Sequence, residues 1–175
     1  ETTTTQETVL KVDGLTSVEA GVCGVSFELR AGEILGVAGL VGAGRSELAR
    51  TLFGLHPHDC GQVSVRSTGG HLRRVRISDP ATAIAVGIGY VPEDRRRHGV
   101  IPELSVTYNT SLAVLPRLAR AALVDNTAES TVALSFAQRL RLKARELYRP
   151  VATLSGGNQQ KVALARWLAI NPCVL

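Results

Sequence analysis

The stretch Ile34-Leu35-Gly36-Val37-Ala38-Gly39-Leu40-Val41-Gly42-Ala43-Gly44-Arg45-Ser46-Glu47-Leu48-Ala49-Arg50-Thr51-Leu52-Phe53-Gly54 sets the fold class. Its opening, Ile34 to Ala38, is an apolar run that reads as a buried strand. Glycines at 39, 42 and 44 then break the run. Beyond them Leu48 and Leu52 lie four apart, with Ala49 and Phe53 beside them, the spacing of one helix face. Gly54 is a natural stop for that helix. Strand, glycine loop and helix in this order predict an α/β fold in which loop backbone without Cβ atoms faces a helix N-terminus of partial positive charge. That combination suits an anion.

Gly39 to Ser46 fits the phosphate-loop (P-loop) pattern at every fixed position except one, where Arg45 stands for lysine. In that pattern the backbone N–H groups between Gly39 and Glu47 converge on phosphate oxygens, and the Ser46 hydroxyl meets Mg2+. Lysine reaches the phosphates as a compact point charge, whereas the guanidinium is wider and planar. Phosphate binding is therefore expected to survive the exchange, and hydrolysis to suffer. Without a ligand, the same residues form a glycine-rich strand-to-helix turn with an exposed arginine.

Working outward, residues 1–8 are polar and read as a leader or linker. Val9 to Val12 and Val22 to Leu29 are β-branched or alternating, and Arg30-Ala31-Gly32 turns the chain into the strand at Ile34. Downstream, Gln62 to Arg66 and Leu72 to Ile77 alternate like a hairpin around Ser67-Thr68-Gly69-Gly70, and Asp79-Pro80 opens a short helix. Gly87-Ile88-Gly89-Tyr90-Val91 returns to strand. Residues 9–91 thus read as the front part of an α/β core with an antiparallel β edge.

Residues 92–150 read as a helical subdomain, with Asp125 as a cap, Val132, Phe136 and Leu140 on one stripe, and a basic end at Arg139, Arg141 and Lys143. Residues 151–175 hold a last helix, Gly156 to Ala169, and lead through Asn171-Pro172 to the start of a strand at Cys173.

Composition excludes several classes. With 175 residues, 45% hydrophobic and 20% charged, one globular domain is expected. No stretch of 18 apolar residues occurs, and the polar start is unlike an export signal. The lack of any methionine marks the sequence as a fragment. Cys23, Cys60 and Cys173 are odd in number and far apart, so buried or half-buried thiols in a reducing compartment are expected, with neither a disulfide framework nor a zinc site. The net charge is +5, yet the clusters Arg73-Arg74-Arg76 and Arg95-Arg96-Arg97 lack interleaved aromatics. A basic face beside a membrane or a phosphate ligand is favoured over nucleic acid. His56, His58, His71 and His98 read as surface or loop residues.

Leu154-Ser155-Gly156-Gly157-Asn158-Gln159-Gln160-Lys161 is the second motif. Ser155 is a good N-cap residue, Gly156 and Gly157 leave N–H groups uncovered, and the helix dipole favours an anion in front. The plainer reading is a capped amphipathic helix in which Val162, Ala165 and Trp167 or Leu168 pack on a sheet. The motif resembles the ABC signature, and with the loop at Gly39 it is identified as that of the ABC ATPase superfamily.

Gly39 to Glu47, Tyr90-Val91-Pro92-Glu93-Asp94-Arg95-Arg96-Arg97-His98-Gly99 and Asn158-Gln159-Gln160-Lys161 resemble, in particular, the second ATP-binding domain of bacterial monosaccharide importers (ribose, galactose or xylose type). The resemblance spans Val9 to Leu175 and implies a P-loop ABC-type nucleotide-binding domain with a helical subdomain, cut before the Walker B strand. It further implies ATP and Mg2+ as cofactors, arginine at position 45 as a subgroup trait, and Glu93 at the Q-loop position as a second possible Mg2+ ligand. Glu93 paired with the arginines that follow it is an equal alternative.

The partners so implied are a second ABC domain on the same chain or in a homodimer, membrane permease subunits and, indirectly, a sugar-binding protein, with no nucleic acid. The place implied is the cytoplasmic face of the bacterial inner membrane, held peripherally. Two expected features are missing from the sequence: an adenine-stacking aromatic between Val9 and Ser26, and the Walker B aspartate with its catalytic glutamate. The expected function is ATP-driven carbohydrate import, with poor hydrolysis by the fragment itself. Alternatives are a non-hydrolysing interaction module and an ABC ATPase of DNA repair.

Overall fold

The computed structural model of the chain describes residues 7–66, 70–94, 98–120, 123–143 and 147–175. They form two compact units, one comprising the described residues up to Tyr90 together with Val174, the other Val91–Cys173 with Leu175.

The first unit is built on an antiparallel sheet. β1 (Thr8–Ser17) and β2 (Val22–Arg30) form a hairpin closed by the turn Val18 to Gly21, whose Gly21 N–H donates to the Val18 carbonyl at 3.2 Å. β3 (Cys60–Arg66) and β4 (Leu72–Val75) complete the order β2-β1-β3-β4. Register explains the sequence alternation. Val12 lies opposite Phe27 on one side and Val63 on the other, and Leu10 lies opposite Leu29 and Val65. Lys11, one residue along, falls on the other face and pairs with Glu28 at 2.7 Å. The hairpin turn expected at 67–70 lies outside the described residues except for Gly70.

α1 (Arg45–Leu52) follows the glycine loop and buries Leu48 and Thr51. The segment after it is latched to the end of the β1–β2 hairpin: the Ser17 hydroxyl donates to the Pro57 carbonyl at 2.6 Å, Asp59 N–H to Thr16 O at 2.8 Å, and Val18 N–H to the Asp59 carboxylate at 2.7 Å. α2 (Pro80–Ala85) starts as expected, with Pro80 in its first turn and the Asp79 carboxylate accepting from the Thr82 N–H at 2.8 Å.

Two strand expectations fail here. Ile34 to Ala38 forms no strand and is exposed, with Ile34 97% accessible, because among the described residues no strand lies beside it to complete a ladder. Gly87 to Val91 contributes only an isolated parallel bridge, Ile88 to Val174.

The second unit is helical. α3 (Val106–Ser111) is capped by the Ser105 hydroxyl and continues through a 3-10 turn into α4 (Leu115–Leu118); a two-rung hairpin of β5 (Ala119–Arg120) and β6 (Leu123–Val124) follows. α5 (Asn126–Arg139) is capped by Asp125, which accepts from the N–H groups of Thr127 and Ala128. α6 (Gly156–Ala169) has the expected bounds.

The buried stripe of α5 is Glu129, Ala133, Phe136 and Ala137, so Val132 and Leu140 sit at its margins, half-buried, where the sequence placed them at its centre. Its core joins Ala133 and Ala137 to Val106, Val151, Leu154 and Val162, so that Val162 packs among helices and not on a sheet. Burying Val151 and Val162 completely contributes about 1.5–3 kcal/mol each.

Candidate nucleotide site and signature helix

Gly39 to Gly44 lead directly into α1, whose N-cap position is Gly44 at φ 81. That left-handed conformation disfavours a side chain, and Gly42 shares it at φ 84. Gly39 is constrained differently: a Cβ there would lie 2.8 Å from the Ala43 Cβ. The one bond inside the loop, Ala43 N–H to Leu40 O at 3.0 Å, folds it back, while the N–H groups of Gly42, Gly44, Arg45, Ser46 and Glu47 meet no acceptor among the described residues.

Leu40 and Val41 point outward, 86% and 99% accessible, and leave the concave backbone clear. Arg45 is exposed, and Ser46 and Glu47 are half-buried at the first turn of α1. Unpaired donors, a missing Cβ and a helix N-terminus together suit an anionic phosphate, and Ser46, in the first turn of α1, is the hydroxyl residue that could ligate an attendant cation.

The second unit carries the other motif. Leu154 is buried in the helical core. Ser155 holds the backbone of an N-cap, φ −60 and ψ 153, but its hydroxyl makes no capping bond, contrary to the role its residue type suggests. Gly157 is open, with nothing within 4 Å of an added Cβ. Gln159 turns back, its amide donating to the Leu154 carbonyl at 3.1 Å and the Val151 carbonyl at 3.4 Å, so it braces the loop in front of the helix. Ser155, Gly157 and Gln160 are exposed and Gly156, Asn158 and Lys161 are half-buried, which leaves the helix start accessible.

Glu93 is exposed on the loop that opens this unit, and Arg95 to Arg97, its suggested partners, lie outside the described residues. Among the described residues no cluster of three or more His, Cys, Asp or Glu side chains could hold a metal on its own. His56 Nδ1 lies 3.7 Å from the Glu19 carboxylate, while His71 and His98 are on the surface. Cys23, Cys60 and Cys173 are all exposed, where buried or half-buried thiols were expected, because the two on strands occupy outward-facing positions.

One feature the sequence reading missed lies along α6. Arg166 is 7% accessible, and its guanidinium donates to both the backbone carbonyl (3.0 Å) and the side-chain oxygen (2.7 Å) of Asn109, itself fully buried. Burial pulls the Arg166 pKa below the usual arginine range.

Residues 22–175 match the ABC transporter family. The chain belongs to that family. The chain is 47% identical over its whole length to a ribose import ATP-binding protein of Streptomyces coelicolor, covering 33% of that protein. It is 50% identical over 151 residues to a xylose import ATP-binding protein of Burkholderia ambifaria, a match covering 86% of this chain and 28% of the relative. The chain thus spans about a third or less of the length of these curated relatives.

Among solved structures, a nucleotide-free ATP-binding cassette from an ABC transporter superposes with a TM-score of 0.74 at 19% identity, covering 94% of this chain and 66% of the other. A dimeric bacterial ABC transporter cassette gives 0.71 at 25%, covering 93% and 70%. The fold is therefore the α/β P-loop fold of ABC cassettes. In this ABC transporter chain the Gly39 to Gly44 loop lies wholly in the first unit, and the Leu154 helix wholly in the second. No helix among the described residues is long and apolar enough to cross a membrane.

Proposed function

We propose that this chain is part of the second ATP-binding domain of a bacterial monosaccharide importer, where Gly39 to Glu47 bind the phosphates of Mg-ATP and the Leu154 to Gln160 signature presents its exposed helix start, Ser155 and Gly157, to nucleotide held by a partner ABC domain. The observation that carries this reading is the loop itself, with five N–H groups lacking acceptors among the described residues, Gly44 at φ 81 and no room for a Cβ at Gly39. Its relatives in name are ribose and xylose import ATP-binding proteins.

Bound Mg2+ supplies charge neutralisation on the phosphates, and Ser46, with Glu93 as a second candidate, would be its protein ligand. Backbone N–H groups orient the phosphates, and the exposed Arg45 adds a planar cation in place of the lysine point charge. With a planar guanidinium at position 45 where the phosphate-loop pattern has a lysine, we assign the site binding with poor hydrolysis. Its partners in this reading are a second ABC domain, permease subunits and, through them, a sugar-binding protein, at the cytoplasmic face of the inner membrane and without nucleic acid.

Calorimetric titration of the chain with Mg-ATP, beside a variant carrying Gly44→Ala and Ser46→Ala, tests the reading. Binding by the native sequence that the variant loses supports it. Binding by neither overturns the nucleotide assignment and leaves a non-hydrolysing pairing module. Arg45→Lys should tighten binding by restoring the compact point charge, and an unchanged affinity would show that the guanidinium does not weaken the site.

A further inference from the structure

Arg166 is a buried cation with no carboxylate in ion-pair range among the described residues, held by one neutral residue. Its Nε donates to the Asn109 carbonyl at 3.0 Å and its Nη2 to Asn109 Oδ1 at 2.7 Å. Asn109 is as heavily engaged on its other side. Its Oδ1 also accepts from the Ile101 N–H at 2.8 Å, and its Nδ2 donates to the carbonyls of Ile101, Leu104 and Ser105 at 2.9, 3.1 and 3.1 Å. One fully buried amide therefore gathers the loop 101–105, α3 and α6.

The apolar residues that seat α6, Val162, Ala163 and Ala165, are small, and apolar contacts, being non-directional, leave the rotation and register of the helix weakly specified. A two-bond fork onto a single residue does not, since it fixes both rotation and register of the helix. Burying a guanidinium costs desolvation that neutral acceptors only partly offset, which makes orientation a better account than stability of why it is there.

We infer that Asn109 and Arg166 are positioning residues that fix α6 on the loop 101–105, and so set where the Leu154 to Gln160 helix start is presented. Arg166 lies about 15 Å along the axis from Gly156, so a small rotation at the fork displaces the exposed end. The inference rests on the proposed role of that end in meeting a partner's nucleotide.

The test uses the intact importer ATPase that carries this chain, assembled with its permease, in four forms: native, Arg166→Met, Arg166→Lys and Gly157→Glu. Turnover and KM for Mg-ATP, nucleotide affinity without turnover, and the thermal midpoint are measured on each. We expect Arg166→Met and Arg166→Lys to lower kcat about ten-fold or more, with nucleotide affinity unchanged, because misplacement by a fraction of an ångström to 1 Å is that costly. Lysine keeps charge and stem but lacks the fork, so it should not rescue.

Native kcat in either folded Arg166 variant, while Gly157→Glu abolishes turnover, overturns the positioning role alone. Native turnover in Gly157→Glu overturns the proposed role of the signature instead. If a variant is partly unfolded, turnover is read per folded molecule below the midpoint, and a loss that only tracks the folded fraction also overturns positioning.

Discussion

Adding a single methyl group at Gly39 should cripple the phosphate cradle without unfolding the chain. The new Cβ would stand 2.8 Å from the Ala43 Cβ, against 3.4 Å at the near limit of ordinary contact, so loop backbone must move by about 0.6 Å. A charge-assisted N–H bond to phosphate is worth about 1.5–3 kcal/mol. Misaligning one such donor weakens binding about ten-fold to a hundred-fold, at 1.4 kcal/mol for each factor of ten.

Calorimetry with Mg-ATP on Gly39→Ala reads that loss. The double variant Gly39→Ala with Ala43→Gly removes the clash while keeping the number of glycines in the loop, and should recover affinity to within a few-fold. Because the loop is exposed, the urea midpoint should stay put in both. Native affinity in the single variant, or a double variant no better than the single, refutes the reasoning.

Three further outcomes concern the scaffold. The Thr82 N–H, then the Ser78 and Thr82 hydroxyls, hold the Asp79 carboxyl below its ordinary range; a depressed folded pKa means stability present above the unfolded value, about 3.9, and lost as pH falls through the folded one. Asp79→Asn should therefore flatten the dependence of the unfolding midpoint on pH below about 4, and an identical acid slope would contradict this. Arg141 sits just past α5 at φ 55, so Arg141→Gly should raise stability by about 1 kcal/mol in urea titration, and a fall would show that its side chain matters more than its backbone. Asp125→Ala, which strips the acceptor from two α5 N–H groups, should cost about 1 kcal/mol, and no change would mean that water replaces the cap.

Where local chemistry decides, the sequence was legible. Lys11 between Leu10 and Val12 announces a two-faced strand, Asp79-Pro80 and Asp125 announce helix starts, and glycines at 39, 42 and 44 announce the tight turn into α1. Where distant partners decide, it was not. Ile34 to Ala38 is apolar enough for a strand, but a strand exists only beside a neighbour, and none is present among the described residues. Ser155 takes the backbone conformation of a cap, yet its hydroxyl is not used as one. Arg166 was missed because a lone arginine near a helix end reads as a surface charge. Its partner stands 57 residues earlier in the chain, and only the folded unit brings them together. Gln159 likewise reads as part of a ligand-facing motif, while its amide is spent on the loop in front of the helix.

The outward splay of Leu40 and Val41 has a consequence for sequence variation in the cradle. A loop that works through its main chain is nearly blind to the identity of side chains aimed at solvent, so neighbouring positions should differ sharply in what they tolerate. In a saturation library scored for nucleotide retention, positions 40 and 41 should accept most residues, while 39, 42 and 44 accept almost nothing but glycine. The loop would then appear as a comb of permissive and forbidden sites whose teeth follow backbone direction and not chemical type.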